Sequence, residues 1–286
     1  MILLTGANGQ LGTDFKKLFN MKKISYIATD YMDLDITDIN AVRNFVKDKE
    51  ISYIINCAAY TAVDKAETDK ESAYNINCIG VKNLAAVAKK YNAKMIHIST
   101  DYVFDGKNHK PYIESDTTNP QSVYGQTKLD GEKALLEINP NNSIIIRTSW
   151  VYSSFGANFV KSILRLAGER DELGIVFDQI GSPTYAKDLA KAIIEILEKL
   201  QNDQTQIYNY SSEGVVSWYD FAKEIVRMSG IECHLKPIES IEYPTPASRP
   251  HFSVLNKAKI KKEFGIEVPY WKDGLDECLR IMGERK

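Results

Sequence analysis

Hydrophobic residues in the first half of the chain alternate between short continuous runs and stretches with the spacing of an amphipathic helix. Residues 2–5 form an apolar run of strand length. The next stretch carries large apolar residues at the spacing of one helix face: Leu11, Phe15, Leu18 and Phe19. By the same criteria, strands are predicted at residues 24–29, 53–55, 94–99 and 143–148, and helices at residues 39–49, 71–91 and 125–137.

Strands that alternate with helices of ten or more residues form β-α-β units, in which the strands are parallel and helices cover both faces of the sheet. This order predicts an α/β fold of the Rossmann-like, doubly wound type. Beyond Trp150 the pattern becomes less regular, although a helix at 184–200 and a strand at 206–210 still fit the first sheet. We expect a dinucleotide-binding domain (residues 1–151 with 181–212) and a smaller, discontinuous C-terminal substrate lobe (residues 152–180 with 213–286).

Composition and charge narrow the class of protein. The chain has 286 residues, of which 44% are hydrophobic and 26% charged, with a formal net charge of −2. Without a concentrated basic face, binding to nucleic acid or to an anionic membrane is not expected. No apolar run reaches the roughly 20 residues that cross a bilayer, and the N-terminus lacks the basic start and long apolar stretch of a signal peptide. We expect a soluble, cytoplasmic protein.

The four cysteines and four histidines are dispersed along the sequence. None of them lies at the spacing of zinc ligands or of a disulfide framework. We therefore expect buried thiols, surface imidazoles and no metal centre.

A glycine-rich turn lies between the first predicted strand and the first predicted helix. Gly6, Gly9 and Gly12 have a GxxGxxG spacing, which lets the chain turn tightly and lets the backbone approach a pyrophosphate. The N-terminus of the following helix offers unpaired N–H groups and the positive end of its dipole to phosphates. The position of this motif predicts dinucleotide binding, the alternative being a tight turn without a ligand.

Residues after the next two strands extend the predicted cofactor site. Asp30 ends the second strand, where a carboxylate commonly accepts hydrogen bonds from the adenosine ribose. Because no Arg or Lys follows it within several residues, we expect NADH to bind at least as well as NADPH, unless Asp30 only opens a turn. Asp35 is a candidate for the adenine side or for a helix cap. The small residues Ala58 and Ala59 would let the cofactor lie close to the backbone.

Tyr124 and Lys128 lie four residues apart on a predicted helix and so share one face. The chain contains a second pair with this spacing, Tyr219 and Lys223, so context must distinguish them. Tyr124 follows a strand that ends in Thr100, whereas Tyr219 has no comparable strand end upstream, so we assign Tyr219 to lobe packing or surface. Reduction of a ketone needs a hydride and a proton for the developing alkoxide.

We expect each member of the first pair to have a separate task. Tyr124 would supply the proton. Lys128 would lower the pKa of the Tyr124 phenol and hold the nicotinamide ribose. Thr100 would orient the carbonyl oxygen toward Tyr124. The alternative is an ordinary helix pair beside a strand-end turn.

Together these motifs resemble the extended short-chain dehydrogenase/reductases over nearly the whole chain, and within them the branch that reduces dTDP-linked 4-keto sugars. The resemblance rests on LTGANGQLG (4–12), NCAAYTAVDKAE (56–67), STDYVFDG (99–106), YGQTK (124–128), RTSWVY (147–152) and PASRP (246–250). It implies NADH or NADPH as cofactor and reduction of the 4-keto group of a dTDP-linked deoxysugar. This would be the last step in making an activated sugar for cell-surface polysaccharide.

The resemblance also implies roles for individual residues. Those implied to line the cofactor are Gly6, Asn8, Gly9, Gln10, Leu11, Gly12, Asp30, Asp35, Ile36, Ala58, Ala59, Tyr60, Thr61, Ser99, Tyr124 and Lys128. Those implied to meet the substrate are Thr100, Asp101, Val103, Trp150, Asn158, Phe159 and Arg249. Arg249 would face a pyrophosphate or lie exposed beside a proline turn, and Trp150 would meet the sugar or pack between the lobes.

The resemblance bears on assembly and metal binding as well. Some relatives dimerise through an acidic Mg²⁺ site, for which Asp14 and Asp188 are the matches that this chain offers. The sequence gives no further support for Mg²⁺. We expect a monomer or a homodimer that takes a nucleotide sugar as substrate.

Two other functions stay open at this point. A nucleotide-sugar epimerase or dehydratase of the same superfamily would recycle a tightly held NAD, and a dehydratase is expected to place an acidic pair beside the catalytic hydroxyl. Asp101 has no adjacent Glu. A non-catalytic regulatory subunit, similar to the beta subunit of methionine adenosyltransferase, would keep the Tyr–Lys pair without the full pattern around Thr100. Oxidation of NADH in the presence of the keto sugar nucleotide distinguishes the reductase from both.

Overall fold

The computed structural model of the protein describes residues 1–285. Its strands are β1 (Ile2–Thr5), β2 (Tyr26–Thr29), β3 (Tyr53–Asn56), β4 (Lys94–Thr100), β5 (Ile144–Thr148), β6 (Val151–Tyr152), β7 (Glu172–Val176), β8 (Ile180–Gly181), β9 (Thr184–Tyr185), β10 (Gln206–Asn209), β11 (Val216–Ser217) and β12 (His234–Ile238). Its α-helices are α1 (Gln10–Lys22), α2 (Ile39–Val46), α3 (Val63–Ala66), α4 (Lys70–Tyr74), α5 (Val81–Lys90), α6 (Val123–Ile138), α7 (Phe159–Glu169), α8 (Ala186–Lys199), α9 (Trp218–Ser229), α10 (Ala258–Phe264) and α11 (Trp271–Met282). None of the helices in this part of the chain is long and apolar enough to span a bilayer.

Six strands form one sheet in the order β10-β5-β4-β3-β1-β2, and every neighbouring pair is parallel. Side chains of successive strand residues point to opposite faces, which gives the sheet two apolar surfaces. Leu4 belongs to a cluster with residues of α1 and α8, whereas Leu3 belongs to a cluster with residues of α2 and α5. The sheet is therefore covered on both faces, as the predicted Rossmann-like α/β fold requires.

The remaining strands form three two-stranded sheets, β11 with β8, β12 with β7, and β6 with β9. A second hydrophobic cluster lies beside them and contains Tyr152, Phe221 and Leu275 among its buried residues. Helix α10 packs elsewhere, since Ile260 and Phe264 belong to the cluster that covers the large sheet. The C-terminal part of the chain thus contributes to both clusters.

The structure changes several predicted boundaries. The helix predicted at 71–91 is continuous from Lys70 to Lys90, but Asn75–Gly80 forms a π-helical stretch within it. The helix predicted from Thr184 begins at Ala186, because β9 pairs with β6 before the helix starts. The spacing of apolar residues predicts neither the π-helical stretch nor the later start of the second helix, since both depend on contacts outside the helix.

The turn between β1 and α1 requires glycine at two positions. Gly6 has φ +65°, and a Cβ added to it would lie 2.5 Å from the amide nitrogen of Ala58. A Cβ added to Gly12 would lie 2.3 Å from the carbonyl oxygen of Gly6. Both distances are shorter than van der Waals contact, so the first helix can approach β1 and β3 closely only without side chains at these positions.

We predict that Gly12→Ala destabilises the protein, because the added methyl group overlaps backbone that cannot move independently. Overpacking of this kind typically costs about 1–3 kcal/mol in the free energy of unfolding. Gly168→Ala is the matched control, since a Cβ there meets nothing within 4 Å on helix α7; it should instead stabilise by roughly 0.5–1 kcal/mol. Urea denaturation of both variants tests this, and equal stability of Gly12→Ala and the parent protein would contradict it.

Candidate active site

A cavity of about 1030 Å³ lies at the carboxyl ends of β1, β3, β4 and β5. Parallel strands end at the same edge of a sheet, so the segments that follow them meet there. Most of the residues predicted to bind cofactor or substrate line this cavity: Gly6, Gly9, Gln10, Leu11, Gly12, Asp30, Asp35, Ile36, Ala58, Ala59, Thr61, Ser99, Thr100, Asp101, Tyr124, Lys128 and Trp150.

At one end of the cavity, Asp30 connects β2 to the glycine turn. Its Oδ2 accepts a hydrogen bond of 3.0 Å from the backbone N–H of Asn8. The side chain of Asn8 in turn accepts a hydrogen bond of 3.0 Å from Lys16 Nζ, which reaches it from helix α1. Sequence reasoning missed Lys16 because it considered only cations that follow Asp30 along the chain. A cation therefore stands beside the turn that Asp30 holds.

The predicted catalytic side chains come together at the other end of the cavity. Ser122 caps helix α6 by accepting a hydrogen bond of 3.1 Å from the Gly125 amide, which fixes the start of the helix. One turn further on, Lys128 Nζ donates to the Ile98 carbonyl oxygen at 2.6 Å. Tyr124 and Thr100 both line the cavity at this point. The helix and the end of β4 are thus joined at the point where both present polar groups to the cavity.

Two hydrogen bonds fix the hydroxyl group of Thr100. It donates to Asp101 Oδ1 at 3.1 Å and accepts from the backbone N–H of Tyr102 at 3.2 Å. Asp101 is 3% exposed, and burial raises the pKa of its carboxyl to about 6. The hydroxyl groups of Ser253 and Thr100 oppose this shift.

The pKa of Tyr124 differs from the sequence-based expectation. Burial, together with the carboxylate of Asp101, raises it to about 12, and the Thr100 hydroxyl is the main opposing influence. The expected lowering of this pKa was therefore wrong, because the cost of burying a phenolate has the largest effect and Lys128 is not among the main groups that shift it. Tyr124 is consequently a neutral phenol at physiological pH.

Burial acts on Lys128 in the opposite direction. It lowers the pKa of the ammonium group to about 8, while the carboxylate of Glu132 and the thiol of Cys57 raise it. The side chain is 2% exposed. The Lys128 ammonium is thus held inside the protein with a pKa close to physiological pH.

Tyr60 and Val103 do not line the cavity. Tyr60 directs its hydroxyl to Asp69 at 3.0 Å, and its backbone N–H donates to Asn77. Val103 is fully buried in a separate hydrophobic cluster with Leu129 among its neighbours. Both residues therefore belong to motifs near the site, but their side chains do not line the cavity.

Three candidate substrate residues also have partners within the protein. Asn158 caps helix α7 and donates to Gln10 Oε1 at 3.0 Å. Phe159 packs against the ring of Trp218, with ring centroids 4.5 Å apart. Arg249 forms two hydrogen bonds of 2.9 and 2.8 Å with the two carboxylate oxygens of Asp64.

An aromatic wall completes the cavity and includes a residue that sequence reasoning missed. Trp150 and Trp218 both line the cavity, and their rings stack with centroids 3.5 Å apart and planes 9° apart. Trp150 adopts φ +50°, an uncommon conformation for a bulky residue. The neighbouring Tyr219 packs against the second hydrophobic cluster, which agrees with its assignment to lobe packing. Trp218 carries no motif, so only tertiary contact reveals it.

Asp14 and Asp188, the matches to a Mg²⁺ site, lie in an acidic region that lysines neutralise. Lys191 Nζ lies 3.0 Å from Asp188 Oδ1, and Lys187 Nζ lies 2.5 Å from a carboxylate oxygen of Glu277. Over residues 1–285, no three His, Cys, Asp or Glu side chains are grouped so that they could hold a metal ion. Asp188 is paired with the Lys191 ammonium, and Asp14 Oδ2 accepts a hydrogen bond of 2.7 Å from Ser153 Oγ, so the two carboxylates do not form a set of ligands for a divalent cation.

A parallel nucleotide-binding sheet, a glycine turn and a buried Tyr–Lys pair in one cavity define an extended short-chain dehydrogenase/reductase. Within that class, the chain belongs to the family described as RmlD substrate binding domain, whose model matches residues 1–283. A dTDP-4-dehydrorhamnose reductase from Aggregatibacter actinomycetemcomitans is 44% identical over 284 residues, which cover 96% of each chain.

Solved structures agree with this assignment. A crystal structure of a dTDP-4-dehydrorhamnose reductase from Clostridium acetobutylicum superposes with a TM-score of 0.94, at 43% identity and with 99% of both chains covered. The dTDP-4-dehydrorhamnose reductase from Bacillus anthracis, in complex with NADP, superposes with a TM-score of 0.93 at 37% identity, with 98% of both chains covered. The predicted family and fold are therefore confirmed over nearly the whole chain.

We predict that Lys128→Met stabilises the protein, in a way that depends on pH. Since one pKa unit corresponds to about 1.4 kcal/mol, lowering the Lys128 pKa from 10.5 to about 8 penalises the protonated folded state by on the order of 3 kcal/mol. Below about pH 8 the penalty is complete, and it disappears as pH rises from there toward the ordinary lysine pKa. The loss of the Ile98 hydrogen bond offsets about 1 kcal/mol.

Chemical denaturation at several pH values measures this difference. Lys133→Met is the control on the same helix, because the Lys133 side chain is 63% exposed. It should change the free energy of unfolding little at any pH. A Lys128→Met protein that is less stable than the parent across the whole pH range would refute the prediction.

Proposed function

We propose that this protein uses NADH or NADPH to reduce the 4-keto group of dTDP-4-dehydro-L-rhamnose, giving dTDP-L-rhamnose. One observation carries the proposal: the Tyr124 phenol, the Thr100 hydroxyl and the Lys128 ammonium meet in one cavity that the glycine turn also lines. The names of the relatives supply the substrate. The product would serve the synthesis of cell-surface polysaccharide.

The chain provides a fitting cradle for a dinucleotide. At Gly6 and Gly12 a Cβ would meet neighbouring backbone, so the turn packs tightly at the start of helix α1, which would direct its free N–H groups toward a pyrophosphate. Asp30 would accept hydrogen bonds from the adenosine ribose, and Lys128 would donate to the nicotinamide ribose. When bound, the dihydronicotinamide supplies a hydride.

The protein's part in the reaction is to place the carbonyl oxygen and to donate a proton. Thr100 would turn its single hydroxyl proton from Asp101 Oδ1 toward that oxygen, while the Tyr102 N–H continues to hold the hydroxyl oxygen in place. Tyr124 would then give its phenolic proton to the developing alkoxide. Lys128 would stabilise the phenolate that is left behind.

The substrate would lie between the aromatic wall and the end of β4. Trp150 and Trp218 offer flat apolar surface to the deoxysugar, and Asp101 offers a hydrogen-bond acceptor to its hydroxyl groups. Asp64 and the Ala247 carbonyl take three of the five N–H groups of Arg249. We therefore assign Arg249 a role in binding the pyrophosphate through its remaining N–H groups, while Asp64 holds the guanidinium in place.

We further propose a cytoplasmic monomer or homodimer. The four cysteines are free thiols, as is usual in a reducing compartment. The proposed division into a dinucleotide-binding domain (1–151 with 181–212) and a substrate lobe (152–180 with 213–286) is supported by two separate clusters of buried apolar residues. Helix α10 bridges this division by packing on the larger cluster.

A coupled assay tests the proposed reaction. dTDP-glucose, its 4,6-dehydratase and the 3,5-epimerase are supplied together, this protein is added, and the loss of NADH or NADPH absorbance is followed. We expect oxidation that requires all three proteins. Cofactor binding without oxidation would instead favour an epimerase or a regulatory subunit, and co-purification with an adenosyltransferase would identify the latter.

We predict that Tyr124→Phe lowers kcat by a factor of about 10²–10⁴, the usual contribution of a general acid. NADH affinity, measured by tryptophan fluorescence, should stay within about twofold, since the hydroxyl serves the proton transfer and the ring is retained. Tyr219→Phe is the matched control, because Tyr219 also precedes a lysine by four positions but lies in the small-lobe packing. Parental turnover in Tyr124→Phe would refute the acid assignment.

We predict that Asp30 and Lys16 act in opposite directions on cofactor preference. Asp30→Ala should raise the ratio of NADPH to NADH efficiency by about tenfold, because a carboxylate repels the 2′-phosphate and binds the ribose hydroxyls. Lys16→Ala should lower the same ratio, since it removes the cation beside Asn8. Kinetics with each cofactor measure both ratios, and a ratio that neither substitution changes would show that the adenosine ribose lies elsewhere.

A further inference from the structure

A buried ion pair lies directly beneath the candidate active site. Glu132 on α6 and Arg147 on β5 are 1% and 3% exposed, and Arg147 Nη2 lies 2.7 Å from Glu132 Oε2. Arg147 Nε also donates to both carboxylate oxygens, at 3.0 and 3.2 Å. This is a nearly ideal fork of hydrogen bonds between a guanidinium and a carboxylate.

Stability alone does not account for the pair. Replacing a buried ion pair with apolar side chains of similar volume is often neutral or stabilising, because two charges must lose their water. Here the carboxylate binds a second residue besides Arg147, since Ser99 Oγ donates to Glu132 Oε1 at 2.5 Å. Ser99 lies next to Thr100 in the chain, so the pair is connected to the end of β4.

Helix α6 presents Tyr124, Lys128 and Glu132 at intervals of four residues, which places them along one face. Two hydrogen bonds join this face to β4, Lys128 to the Ile98 carbonyl and Ser99 to Glu132. They lie on successive residues of the strand, immediately before Thr100. The position of Thr100 relative to Tyr124 therefore depends on both.

Glu132 also determines the charge around Lys128. The groups that face the ammonium from the surrounding elements are Glu132 on α6, Cys57 after β3 and His97 on β4. Burial keeps the His97 imidazole neutral by lowering its pKa well below the usual value, and it raises the pKa of the Cys57 thiol. Among these three groups, Glu132 is thus the one that carries a negative charge.

We propose that Glu132, held by Arg147, is a positioning residue for the reduction: it fixes the Ser99–Thr100 end of β4 against α6 and supplies the negative charge that Lys128 faces. This inference rests on the function proposed above for Tyr124, Lys128 and Thr100. Glu132 itself does not line the cavity, and it acts through its neighbours.

Glu132→Gln tests the proposal, because glutamine keeps an acceptor oxygen for Ser99 and removes the charge. We expect kcat to fall about tenfold or more, with the KM for the sugar nucleotide changed by less than about threefold. The basic limb of the kcat pH profile should move to lower pH by about one unit, because the group that holds the proton on Lys128 is gone. Unchanged kcat and an unchanged pH profile would overturn the proposal.

Two further variants separate positioning from misfolding. Glu132→Gln leaves Arg147 buried without its partner, so the double variant Glu132→Gln/Arg147→Met removes both charges and should fold. We expect it to retain the lower kcat and the shifted limb. Full recovery of both in the double variant would show that the unpaired Arg147 caused the defect. Glu224→Gln is the matched control in the small lobe, where Glu224 also pairs with an arginine.

The same assays distinguish this proposal from the proposed function. Tyr124→Phe is measured beside Glu132→Gln in the coupled assay and by NADH binding over the same pH range. If Tyr124→Phe retains parental turnover, the proposed catalytic assignment fails whatever Glu132 does. If Tyr124→Phe is inactive while Glu132→Gln behaves as the parent in turnover and in NADH binding, the positioning proposal alone fails.

Discussion

The ammonium group of Lys128 lies inside the protein, and the arrangement of the site follows from the need to hold a charge there. Such a group loses its water and must receive oxygen partners from the protein. The carbonyl of Ile98 provides one, and the carboxylate of Glu132 provides a compensating charge. Both require α6 to lie against β4, so the helix that carries Tyr124 also packs beside the strand that ends in Thr100.

The parallel sheet converts this local requirement into a complete site. β4 lies between β3 and β5, and β1 lies on the far side of β3. Their carboxyl ends therefore bring the glycine turn, Ala58, Thr100 and Trp150 to one cavity, although these segments are far apart in sequence. The backbone proposed to bind the cofactor and the side chains proposed to react follow neighbouring strands of the same sheet, so one sheet edge can present both to a single cavity.

Local pattern was sufficient to predict the strands of the sheet, most of the helices, the glycine turn and the position of Tyr124 and Lys128 on one helix, because each depends on residues close in sequence. It could not predict the π-helical stretch, where Asn77 turns its amide toward Thr127 on another helix. Trp218 could not be predicted for the same reason, since it lines the cavity from a helix that no motif connects to it. Lys16 lies on α1, but only the folded helix shows that its side chain returns to Asn8. The direction of a side chain within a motif is likewise decided by tertiary packing.

The raised pKa of Tyr124 fits the proposed role of this residue as a proton donor. A tyrosine with a lowered pKa is readily ionised and suits proton removal from an alcohol, whereas a buried neutral phenol suits proton donation to an alkoxide. Burial raises the pKa of Tyr124 to about 12 and lowers that of Lys128 to about 8, so the two groups stay protonated and unlike in charge at neutral pH. In the proposed reduction, an alkoxide formed at the carbonyl would be more basic than this phenol, so the proton would move downhill. The phenolate left behind would lie in the same cavity as the Lys128 ammonium, so the cation would stabilise the site more after proton transfer than before it.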